Sequence, residues 1–135
     1  MQTKPYLTLA EVKTIAAAAE AEALRNNWAV TIAIVDDGGH LLWLQRLDGA
    51  PPVSSHIAPK KANTAAVGRR ESKVYEDVIN NGRMSFLSAP YLEGMLEGGV
   101  PVIVDGHVIG AVGVSGVKSD QDAQIAKAGI AALGA

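Results

Sequence analysis

Two Asp/Gly turn signals decide most of what this chain can fold into. Asp36-Asp37-Gly38-Gly39 separates the β-branched run Ala29–Val35 from His40–Leu47, and Asp105-Gly106 separates Val100–Val104 from Val108–Val114. Asp-Gly and Gly-Gly supply the positive φ that a tight hairpin needs, so each pair of runs is expected to be antiparallel. Helical patterns surround the hairpins. Thr8-Leu9-Ala10-Glu11 fits a capping box opening a helix from Leu9 to Arg25. Val53–Val67 is helical in composition, but Pro59 removes an interior hydrogen bond. Either the main helix starts near Pro59 or an earlier turn is kinked there. A short helix is expected over Ser72–Asn80, and a short strand near Leu92–Leu96 within the irregular stretch Met84–Glu97. Ser119 caps a last helix through Leu133, with Asp120 and Asp122 at its positive end. Hairpins flanked by helices make an α+β fold, expected as a single domain over residues 1–135.

Composition narrows the chemistry. The 135 residues include 22 alanines and only six aromatics, so the core must close by packing small side chains. The absence of cysteine excludes disulfides, thiolate nucleophiles and Cys-based metal sites. A formal net charge of −2 lacks the basic excess of a nucleic-acid binder, so no nucleic-acid partner is expected. No apolar run approaches the roughly 20 residues of a membrane span. MQTKPYLTLAEV lacks the apolar stretch of an export signal, so a cytoplasmic location is expected.

Three stretches then carry a resemblance: VDDGGHLLWLQRLDGAP (Val35 to Pro51), KANTAA (Lys61 to Ala66) and GGVPVIVDGHVIGAVGVSG (Gly98 to Gly116). Together with Asp122 they resemble the GlcG/HbpS family of haem-binding-protein-like domains, which includes the C-terminal domain of PduO-type corrinoid adenosyltransferases. The resemblance implies a profilin-like fold with a five-stranded antiparallel sheet between helices. It also implies homo-oligomers, octamers among them, and a small-molecule ligand. Some members bind haem or are linked to its degradation, while others accompany catabolic enzymes. The implied function is thus a cytoplasmic accessory protein binding haem or a related tetrapyrrole. The alternative is a small enzyme acting on an organic acid or aromatic intermediate.

The residues offer several candidates. His56 precedes Lys60, Lys61, Arg69, Arg70 and Lys73, where an imidazole could bind haem iron while cations pair with propionates. A solvated helical face is the simpler account of that charge run. Tyr91, Met84 and Met95 are further axial candidates in the irregular stretch. Arg46, Lys61 and Ser115 are candidates for a pocket binding or turning over a small molecule. Arg46 and Asp48 could pair with each other or hold a carboxylate ligand, and Lys61 could be a buried cation opposite Asp122 or a subunit contact. Asp36 suits an Asx-type turn closure. Gly110-x-x-Gly113-x-x-Gly116 permits close approach, either of a ligand or, more simply, of another backbone.

Overall fold

The computed structural model describes residues 1–134. Its elements are α1 (Leu9–Arg25), β1 (Thr31–Asp36), β2 (Leu41–Arg46), α2 (Ser54–Gly68), α3 (Ser72–Asn80), a 3₁₀ turn (Met84–Ser88), β3 (Gly99–Val104), β4 (His107–Ser115) and α4 (Ser119–Ala131). Both hairpins form, and β1 joins them by pairing antiparallel with β4, giving the strand order β2-β1-β4-β3. The sheet has four strands, so the fifth strand implied by the resemblance is not part of it. Leu92–Leu96 forms no strand either. The physical reason is a tertiary contact: the Gly94 N–H donates to Thr64 Oγ1 at 3.1 Å, so this segment packs on α2 instead of extending the sheet.

Strand alternation sorts the core into two layers. Ile32, Ile34, Val112 and Val114 face α1 and α4 and meet Val12, Ile15, Ala19 and Ile125. Ala33, Val35 and Ala111 face the other way, onto Ala58, Ala62, Ala65 and Ala66 of α2. This second layer is nearly all alanine because α2 lies almost on the sheet backbone. Gly99 and Gly113 are cross-strand partners beneath it. A Cβ on Gly113 would come within 2.2 Å of the Ala58 carbonyl oxygen, and one on Gly99 within 2.2 Å of the Lys61 carbonyl oxygen. The glycine spacing in β4 therefore serves helix–sheet contact at Gly113.

The helix ends correct details of the sequence reading. Pro59 lies inside α2, which begins five residues earlier at Ser54. The cap of α4 is Lys118, Ser119 is already helical, and the helix stops at Ala131. Asp36 does close its turn: Oδ1 accepts the Gly38 and His40 N–H groups, each at 2.9 Å.

Candidate functional site

Helix geometry places His56, Lys60, Asn63 and Val67 in one stripe on the outer face of α2, because they recur at four-, three- and four-residue steps. Two structures wall this stripe. On one side is the β1–β2 turn, where Gly39 leaves room for the Asn63 carboxamide. On the other is the segment around Tyr91, whose carbonyl accepts from Asn63 Nδ2 at 3.1 Å. Lys60 Nζ reaches Glu93 Oε2 at 3.0 Å, pinning the segment a second time. Gly94 fits only because it has no side chain: a Cβ there would lie 2.3 Å from the Lys60 carbonyl carbon.

The result is an open groove. A cleft of about 450 Å³ is lined by Gly38, Asn63, Val67, Gly68, Pro90, Tyr91 and Leu92. A second, of about 330 Å³, shares Asn63 and Tyr91 and continues past Pro59 and Lys60. Tyr91 adopts φ +65°, a left-handed conformation uncommon for a bulky residue, and its side chain is 84% exposed. His56 is exposed on the same helix face.

The donor set bears on which metal chemistry fits. Among the described residues no three His, Asp or Glu side chains gather to hold a metal ion. A bare cation would lack ligands, whereas haem brings its own equatorial nitrogens and asks the chain for an axial donor. His56 and Tyr91 are donors of that kind. Val67, Pro90 and Leu92 offer an apolar wall for one face of a flat ring. These residues fit a tetrapyrrole held from one side.

The basic run after His56 is dispersed by the fold. Lys60 pairs with Glu93 and Lys73 with Asp77, while Arg70 lies over the Tyr75 ring. Lys61 is buried: its Nζ donates to Asp122 Oδ2 at 3.1 Å and to the Val114 carbonyl at 3.0 Å. Asp122 Oδ1 in turn accepts the Val117 N–H at 3.2 Å. Burial pushes the Asp122 carboxyl above its ordinary range, against the opposing pull of Lys61. This pair joins α2 on one face of the sheet to α4 on the other, passing beside Gly98, where a side chain would meet Lys61 Nζ.

Arg46, Lys61 and Ser115 form no accessible pocket. Arg46 and Ser115 both pair with Thr31, so they share one row across the sheet. The space above that row is occupied by the Thr31–Ser54 hydroxyl pair at 2.7 Å. Ser115 is 6% exposed and Lys61 3%. Arg46 Nε donates to the Ala50 carbonyl at 3.1 Å, fastening its own loop in place of an ion pair with Asp48. Met84 lies exposed in the 3₁₀ turn, and Met95 is buried beside Glu76, Ile79 and Leu87. Of the sequence candidates, Tyr91 and Lys60 line the α2 groove, and His56 lies on the same exposed helix face one turn before Lys60. Asn63 and Glu93 were not foreseen, since a side chain bonding a backbone carbonyl 28 positions away leaves no local sequence signal.

Comparison with known proteins agrees with this architecture. Residues 7–131 match the family profile described as "Haem degrading protein HbpS-like". The chain is 56% identical over 115 residues to Protein GlcG of Escherichia coli K12, covering 85% of each. The crystal structure of Klebsiella pneumoniae protein ORFY superposes with a TM-score of 0.91 at 33% identity, covering 100% of this chain and 95% of that one. The structure named "PduOC:Heme Complex" superposes at 0.86 with 32% identity, covering 95% of each chain. With the profile spanning nearly its full length and GlcG so similar, the chain belongs to the HbpS-like family.

Proposed function

We propose that this protein binds haem or a related tetrapyrrole in the α2 groove and works as a cytoplasmic accessory protein. The observation that carries the reading is the groove itself. One helix face presents His56, Lys60, Asn63 and Val67, the last three lining the groove with Tyr91, and among the described residues no cluster gathers for a bare metal ion. The similar PduOC structure is a haem complex, which supports the same ligand class. In this reading His56 is the axial nitrogen donor, Tyr91 the alternative oxygen donor, and Lys60 the cation nearest an acidic substituent. A bound haem would supply the Soret absorption through its porphyrin ring and any redox chemistry through its iron. The chain's own residues hold the ring edge and shield one face from water. We also propose that the protein is a homo-oligomer, with an octamer as the expected size.

The test is a titration of the purified protein with haemin. A saturable, shifted Soret band is expected, weakened at least about tenfold in His56→Ala, a loss of roughly 1.4 kcal/mol or more. Absence of a saturable band in the parent protein would remove haem from the reading. Full retention in His56→Ala with loss in Tyr91→Phe would transfer the axial role to Tyr91.

A further inference from the structure

We infer that a second cleft, at the β3–β4 hairpin, binds a small carboxylate with a short apolar tail. This goes beyond tetrapyrrole binding and uses none of the residues that line the α2 groove. The cleft has a volume of about 380 Å³ and is lined by Lys4, Arg69, Ile103, Gly106, His107 and Val108. Three of the six carry nitrogen donors, and none is acidic.

Arg69 is the central group. It follows α2 in the left-handed conformation, with φ +61°, at the helix-end position where glycine is ordinarily favoured. A long cationic side chain here is not what the backbone asks for, and retained strain of this kind is a recognised mark of a functional position. That backbone conformation turns the guanidinium back onto the carbonyls of Asp37 and Ala66, which accept from Nη1 at 2.6 and 3.1 Å. The group is thereby held in place by one nitrogen. Its Nε and Nη2 donors have no protein partner among the described residues, and together they form the fork that grips a carboxylate bidentately.

The other lining groups complete the site. Lys4 is paired with the Asp37 carboxylate, which it and Arg69 hold below the ordinary carboxylate range. Lys4 and Arg69 thus outnumber Asp37, and a second negative group in the cleft would balance the charge. His107 is half-buried, and its ring has no hydrogen-bond partner among the described residues. Ile103, 54% exposed, and Val108 form an apolar wall beside these donors. A cationic fork next to an aliphatic wall matches a short aliphatic acid better than a bare anion.

The test follows amide NMR signals of the full chain at constant ionic strength, with sodium butyrate, inorganic phosphate and butanol as probes. Butyrate should produce saturable shifts at Gly106, His107 and Val108, phosphate should bind more weakly, and butanol should leave these amides unmoved. Arg69→Gly relieves the left-handed strain, so it should fold while binding butyrate at least about tenfold more weakly. His56→Ala should bind butyrate like the parent protein, which separates this site from the haem reading. Butanol acting like butyrate, phosphate binding more tightly, or unchanged binding by Arg69→Gly would each overturn the assignment. If Arg69→Gly does not fold, Arg69→Lys and His107→Ala decide it: both must weaken butyrate binding, and parent-like affinity in both refutes the site.

Discussion

At the scale of single residues, the Lys61–Asp122 pair carries the strongest consequences. The two side chains are 3% and 2% exposed, so neither charge has water to fall back on. Removing one partner strands the other, and Lys61→Ala should destabilise the fold by about 3–5 kcal/mol in urea unfolding. Replacing both with apolar groups removes that penalty, so Lys61→Met with Asp122→Leu should recover most of the loss. A double variant as unstable as the single would mean that packing, not charge, is what the site supplies. The pair also gives a pH dependence. Burial raises the folded Asp122 carboxyl above its usual value, so the folded chain holds this proton more tightly than the unfolded chain. The resulting stability is fully present below the unfolded value of about 4 and is lost as pH rises through the folded value. Asp122→Asn should abolish this contribution. Calorimetric Tm profiles from about pH 4 to 7 should therefore differ in slope, the parent gaining relative stability in acid. Parallel profiles would contradict it.

At the scale of elements, the contact of α2 with the sheet sets the strictest demand. Gly113 sits in extended β4, so its need for glycine is purely steric: a Cβ would meet the Ala58 oxygen at 2.2 Å and the Ala62 nitrogen at 2.5 Å. Both are backbone atoms and cannot turn aside. Gly113→Ala should cost about 3 kcal/mol, the upper end for overpacking. Gly106, by contrast, has φ +78° and nothing within 4 Å, so Gly106→Ala should cost only the left-handed penalty of about 1–2 kcal/mol. Chemical denaturation of both variants checks the order, and equal losses would refute the steric account. These same elements show what was legible in the sequence. The hairpins were readable because Asp-Gly and Gly-Gly encode their turns locally. The run of α2 through Pro59 was not, because the fold begins this helix upstream, with early bonds such as Ser54 N–H to the Pro51 carbonyl. The strand expected at Leu92–Leu96 failed for a similar reason: Thr64 captures the Gly94 N–H, and Asn63 the Tyr91 carbonyl just before the segment, both from another element. The groove inherits this limit. His56 and Tyr91 could be named from residue type, but their common setting depends on contacts far apart in sequence.

At the scale of the whole molecule, the sheet is covered unevenly. Helix α2 lies over β1, β4 and β3 and leaves the outer strand β2 largely bare. Leu41, Leu42 and Leu44 are 52%, 39% and 47% exposed. From Leu41 to Gln45 this edge carries no charge and no proline, whereas β3 at the opposite edge contains Pro101. An apolar, unguarded edge invites strand pairing, and a second copy of the same chain is the occupant whose chemistry matches it. Two β2 strands related by a two-fold axis would run antiparallel, aligning leucine with leucine. Leu44→Lys should therefore reduce the size of the assembly measured by light scattering. Its Tm should stay close to that of the parent when both are compared at the same protein concentration, apart from any stabilisation the assembly itself supplies. A parent protein that is monomeric at micromolar concentration would end the oligomer reading. An unchanged assembly in Leu44→Lys would leave the oligomer standing but exclude β2 as the surface that builds it.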